Sequence, residues 1–136
     1  MDMEEIARWA YIGFVVIAIV AGLAVGYMAY NAYPDSSYGF NDPDVANANG
    51  WVILIMLILG IIIGLTSITA KEVTPFLIAT IALVVAYSAN VWYPLGNVTW
   101  LLYYWATGIL SYIVAFAAPA AVIIAIKSVF AMAKEK

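Results

Sequence analysis

The sequence predicts an all-α membrane protein: a four-transmembrane-helix bundle with both termini on the cytoplasmic side. Three observations carry that expectation. The 136-residue chain is 67% hydrophobic and 10% charged, whereas a soluble domain carries about 25% charged residues. Its apolar residues gather into stretches near the ~20 residues that a helix needs to cross a ~30 Å hydrocarbon core. Finally, every Lys and Arg falls on one side of the map those stretches define.

The first span covers residues 9–30 and carries no charge. The segment before it, Met1-Asp2-Met3-Glu4-Glu5-Ile6-Ala7-Arg8, is acidic where a cleaved signal peptide would be basic, so the span is expected to remain in the protein. An outer loop follows at 31–50. Within it, Asp42-Pro43-Asp44 has the form of a helix start, an acidic cap followed by Pro at the first helical position. The second span, 51–68, is therefore expected to begin as a helical extension near Pro43, although Asn47, Asn49 and Gly50 are poor helix formers.

An inner turn at 69–74 pairs Thr69 with Glu72 as a capping box, and Thr74-Pro75 opens the third span, 75–91. Residues 98–132 contain no strong break. A helix over all of them would be about 50 Å long, too long for a simple crossing. The expectation is an aromatic interfacial segment at 92–107, a fourth span at 108–126 and a tail at 127–136, with one long protruding helix as the alternative.

Orientation follows from Arg8, Lys71, Lys127, Lys134 and Lys136, which all lie at the ends of the chain or in the inner turn. The two other loops contain neither Lys nor Arg, and the positive-inside rule then places both termini in the cytoplasm. Tyr27, Tyr30, Tyr33, Trp51, Tyr87, Trp92, Tyr93, Trp100, Tyr103, Tyr104 and Trp105 gather towards the outer ends of the spans. They read as an aromatic belt at the headgroup level, with a cage for a cationic ligand as the sharper alternative. Ala29-Tyr30-Asn31-Ala32-Tyr33-Pro34 and Ala86-Tyr87-Ser88-Ala89 with Tyr93-Pro94 echo one another, by hairpin duplication or by chance.

Candidate functional residues are those of helix association. Gly22-Leu23-Ala24-Val25-Gly26 and Gly60-Ile61-Ile62-Ile63-Gly64 are GxxxG motifs, which let two helix backbones approach closely, within the chain or between subunits. Ala117, Ala121 and Ala125 form a further small-residue face. Pro119 is expected to kink the last span, since it removes the helical partner of the Ala115 carbonyl. Asn97-Val98-Thr99 is a glycosylation sequon on an outer segment. Asp35, Asp42 and Asp44, with Asn41, make an oxygen-rich outer patch that could bind a cation weakly. Its spacing is not that of a calcium loop.

The chain has no Cys and no His, which removes disulfides, haem and iron–sulfur ligation and ordinary zinc sites; no metal or other cofactor is expected. No ionisable residue stands at mid-bilayer depth, where ion-coupled transporters place theirs. Ser and Thr are present, but the commonest general base is not, so no enzyme is expected. The net charge of −3, without clustered Lys and Arg, does not suit nucleic acid.

The stretch Leu59-Gly60-Ile61-Ile62-Ile63-Gly64-Leu65-Thr66-Ser67-Ile68-Thr69-Ala70-Lys71-Glu72-Val73-Thr74-Pro75-Phe76-Leu77 resembles a segment of small prokaryotic, largely archaeal, four-span integral membrane proteins. Phe116-Ala117-Ala118-Pro119-Ala120-Ala121 followed by Lys127 is similar too, so the likeness covers spans two to four. It implies a membrane bundle and no known activity.

The functional expectation is thus a non-enzymatic structural or assembly protein that self-associates in the bilayer, or an accessory subunit of a larger membrane complex. An oligomeric pore or holin-like permeabiliser is the alternative, with Thr80, Ser88, Thr107 and Ser111 as polar positions along a path.

Overall fold

A computed structural model describes residues 3–66, 73–89 and 91–134. They form four α-helices: α1 (Met3–Ala32), α2 (Pro43–Thr66), α3 (Val73–Ser88) and α4 (Trp100–Lys134), with short 3₁₀ turns at Gly39–Asn41 and Tyr93–Asn97. In α1, α2 and α4, stretches are long and apolar enough to cross a membrane. The chain is therefore an all-α protein of the kind that associates with a lipid bilayer. The expected capping box of Thr69 and Glu72, and the positive charges Lys71 and Lys136, lie outside the described residues.

The second helix begins where Asp42-Pro43 signals it, at Pro43 and not at Trp51. The Asp42 carboxylate accepts a hydrogen bond from the Val45 N–H at 3.4 Å, filling one of the donors that a helix start leaves open. The third helix is the shortest of the four. It has 16 residues, about 24 Å of rise, where a full crossing takes ~30 Å. Its end is closed by an indole: Trp92 Nε1 donates to the Ala86 carbonyl at 2.8 Å. The chain then turns into the 3₁₀ segment opened by Tyr93-Pro94.

No break in the helix falls at Gly108; of the two expectations, the single long helix is the one that forms. A continuous helix of 35 residues starts at Trp100 and contains Pro119. The aromatic segment 100–107 is therefore the first part of α4, because its rings find partners on neighbouring elements that hold the backbone in register. Thr99 Oγ1 accepts the Leu101 N–H at 3.3 Å at its start.

The last helix is also the hub. It packs against α1, α2 and α3, while α1 and α2 meet over a smaller area. Its fully buried face runs Tyr104, Gly108, Tyr112, Phe116, Ala120, Ile124, one residue every four, with Ala117 beside it. Around that stripe lie Ala18, Val25 and Ala29 of α1 and Met56 and Ile63 of α2. At one end of the bundle a second aromatic group joins three helices: the Tyr11 ring lies 5.7 Å from Phe76 and 5.9 Å from Phe116, and Phe14 packs on Phe116 at 5.2 Å. Near the same end Lys127 Nζ donates to the Gly64 and Leu65 carbonyls, each at 3.2 Å, closing the C-terminal turn of α2.

Candidate functional site

Both glycine pairs face α4. A Cβ on Gly22 would lie 2.5 Å from Ile109 Cγ1 and 2.7 Å from its Cα, and one on Gly26 would lie 2.8 Å from Trp105 Cδ1. The room at Gly26 admits the Trp105 indole, whose Nε1 donates to the Leu23 carbonyl at 3.0 Å. On the other side, a Cβ on Gly60 would meet the Phe116 carbonyl oxygen and, at 2.9 Å, the Pro119 ring; one on Gly64 would lie 3.0 Å from Ile123 Cβ. The two motifs thus grip different stretches of one helix within the same chain. Of the alanine face, Ala117 is buried, whereas Ala121 and Ala125 are half-buried. Pro119 sits inside this α2–α4 contact.

Aromatic residues divide into two populations. Tyr27, Tyr33, Trp51, Tyr87 and Tyr93 are exposed. Tyr104, expected in the belt, is instead fully buried, because its hydroxyl serves the loop between α1 and α2. The Gly39 N–H donates to Tyr104 Oη at 2.9 Å, and Oη donates towards the carbonyls of Ser36 and Tyr33. Phe40 packs edge-on against the same ring at 5.4 Å. Position 39 has to be glycine for this wrap: a Cβ there would meet the Ala29 carbonyl oxygen and lie 2.7 Å from Tyr104 Cζ. Tyr112, equally buried, donates its hydroxyl to Asn49 Oδ1 of α2 at 2.8 Å.

Beside this loop, a cavity of about 280 Å³ opens between α2, α3 and α4. Phe40 comes from the first 3₁₀ turn, Asn49 and Ile53 from one face of α2, and Tyr87 from the end of α3. Trp92 follows α3, while Tyr103, Thr107 and Ser111 come from one face of α4. Fourfold spacing sets both helical contributions, since residues i and i+4 share a face.

The polar groups around it are already oriented. Thr107 Oγ1 donates to the Tyr103 carbonyl at 2.8 Å and Ser111 Oγ to the Gly108 carbonyl at 2.8 Å. Each hydroxyl therefore offers only its lone pairs elsewhere. Among the described residues lining the cavity, none is a carboxylate, amine, imidazole or thiol.

The remaining sequence candidates stand apart from it. Asn97 is exposed at the end of the second 3₁₀ turn. Asp35 and Asp44 are exposed and Asp42 caps α2. Among the described residues no three acidic, His or Cys side chains gather as a metal would need. Sequence reasoning named Thr107 and Ser111 as polar but missed the cavity. The available signal was the Tyr103–Thr107–Ser111 stripe, a semi-polar line along an otherwise apolar helix. No family model, curated protein or solved structure matches the chain. What the sequence and the fold together establish is a helical protein with several apolar, membrane-length helices.

Proposed function

We propose that the chain crosses the membrane four times with both termini in the cytoplasm. In this reading it works by assembly, as a self-associating structural protein or an accessory subunit, and not by catalysis. The observation that carries this reading is α3. Over its described residues it rises about 24 Å, less than the hydrocarbon core, and a short span relieves its mismatch by thinning the bilayer or by associating with a neighbour. Its broad contact is with α4. Ile78, Ile81 and Val85 on its outward side are 62%, 64% and 59% exposed, which leaves a ready face for a second copy.

Two further observations favour assembly over a pore. Thr80 and Ser88 donate their hydroxyls to the Phe76 and Val84 carbonyls, as Thr107 and Ser111 do within α4, so none of the four presents a hydroxyl hydrogen to a path. The Pro119 ring packs against Gly60, which suits a fixed helix contact better than a moving gate. The likeness to small prokaryotic four-span proteins agrees with the topology.

The absence of native cysteine makes the test direct. Ile81→Cys should cross-link into dimers when native membranes are oxidised, whereas Val20→Cys, on the exposed side of α1, should not. Cross-linking of Ile81→Cys to a different protein would select the accessory-subunit form. A chain that stays monomeric, with neither product, would remove the assembly reading.

The orientation has its own test. Cysteines at Ser36 and Asn97 should react with an impermeant thiol reagent applied to sealed cells, and one at Lys134 should not. Labelling at Lys134 would overturn the topology.

A further inference from the structure

We propose that the cavity between α2, α3 and α4 binds a small organic cation, a multiply methylated or quaternary ammonium group, offered either by a free solute or by a lipid headgroup. Four aromatic residues line it: Phe40, Tyr87, Trp92 and Tyr103. Aromatic rings attract such cations through the negative potential of their faces, and the attraction grows when water is excluded.

The polar inventory has the same sign. The hydroxyl hydrogens of Thr107 and Ser111 are engaged by backbone carbonyls, and the Trp92 N–H is engaged by the Ala86 carbonyl. Asn49 Oδ1 receives the Tyr112 hydroxyl, so its amide hydrogens are the fixed donors at the wall, beside the rotatable hydroxyls of Tyr87 and Tyr103. A wall with this few fixed donors suits a ligand that needs none, and an anion would find no positive partner.

Charge along the approach agrees. Asp42 and Asp44 stand at the start of α2, and Asn49 follows Asp42 by about 10 Å of helical rise. That is somewhat beyond the ~8 Å Debye length at physiological salt, so the pull of these carboxylates on cations is weak there and grows at low ionic strength. The lining itself carries no carboxylate. A metal ion or a primary ammonium, which hold water tightly, would not be repaid for shedding it there. A multiply methylated or quaternary ammonium is weakly hydrated and buries apolar surface against the rings. The volume of about 280 Å³ lies just under the usual range for small-molecule pockets and suits a compact head.

The inference does not depend on how the bundle assembles, and its test uses the full-length protein in a maltoside detergent, free of choline lipids. Choline is titrated against Trp fluorescence and heat, beside its uncharged isostere 3,3-dimethyl-1-butanol. Choline should bind saturably and about tenfold more tightly than the isostere. Tyr103→Leu should weaken it at least about fivefold. Tyr87→Leu, at the exposed end of α3 where folding is not at stake, should weaken it in the same direction.

In a second arm the protein is placed in nanodiscs of phosphatidylcholine or phosphatidylglycerol. Retention of phosphatidylcholine by the native chain and not by Tyr87→Leu, without binding of free choline, would assign the headgroup source. Equal binding of choline and its isostere would overturn the proposal in favour of a neutral polar ligand. Absence of any response in both arms would overturn it outright.

Discussion

Gly60→Leu should abolish the folded bundle. The Cβ alone would meet the Phe116 carbonyl oxygen, a backbone atom in the middle of α4, and the rest of the side chain would have to displace the Pro119 ring. Neither obstacle is the free end of a flexible side chain. Overfilling a core costs typically ~1–3 kcal/mol when neighbours can shift; here α2 must separate from the hub, and the loss should exceed that range. Thermal unfolding in detergent is the measurement, with a well-defined transition for the native chain and none for the variant. Leu54→Ile, on the exposed side of the same helix, should be nearly silent. So should Gly50→Ala, since a Cβ there meets nothing within 4 Å. If Gly60→Leu unfolds at the native temperature, the close α2–α4 approach is not what holds the helices together.

The second large effect is expected at Tyr104. Its hydroxyl receives the Gly39 N–H and donates towards the Ser36 and Tyr33 carbonyls, all from inside the protein. Tyr104→Phe keeps the ring and its contact with Phe40 but leaves the Gly39 donor without its partner. An unsatisfied buried group costs about 1–3 kcal/mol, and the loop between α1 and α2 should bear most of it. Limited proteolysis of reconstituted protein should therefore cut within residues 33–41 much faster in the variant, with a lowered unfolding temperature. Tyr38→Phe is the control, because Tyr38 is 64% exposed. Equal cleavage of Tyr104→Phe and the native chain would show that the hydroxyl does not pin the loop.

What the residues disclosed, and what they withheld, divides along range. Helix starts are local events: Asp42-Pro43 needs only its own neighbours to cap a turn, and α2 begins there. The apolar stretches of α1, α2 and α4 are equally local, since length and hydropathy suffice to recognise them. The start of α4 was not legible because its one local mark, Thr99 at the N-cap, is outweighed by the accumulation of rings that follows it. Rings near a membrane surface read as a belt. Only the partners at the far end of each ring distinguish belt from core. Trp105 reaches the Leu23 carbonyl, and Tyr104 reaches a loop more than sixty positions earlier in the chain. No spacing rule connects such positions.

The glycine motifs show the same limit. Their capacity for close approach was visible, but not that both would approach one partner. The motifs stand on two separate helices, and nothing in their spacing names a shared partner. The structure reconciles that separation with a helix of 35 residues, long enough to offer Ile109 to one pair and Phe116 to the other. The cavity was hidden for a related reason. Its eight lining residues come from five separate segments, and none of those segments is unusual by itself.

That the hub comes after the three helices it holds has a consequence for biogenesis. A ribosome emitting about 5–20 residues per second releases α1, α2 and α3 before Trp100 emerges. During that interval Gly22, Gly26, Gly60 and Gly64 have nothing to close upon, and the Ala86 carbonyl is capped only once Trp92 arrives. The two longer helices are apolar enough to wait in lipid alone. The short third one is not comparably anchored, and it gains its broad contact only when α4 inserts. Completion is therefore a late, nearly all-at-once event, in which one incoming helix turns three waiting segments into a protein. Chaperones and proteases of the membrane would have to spare the unfinished chain until then.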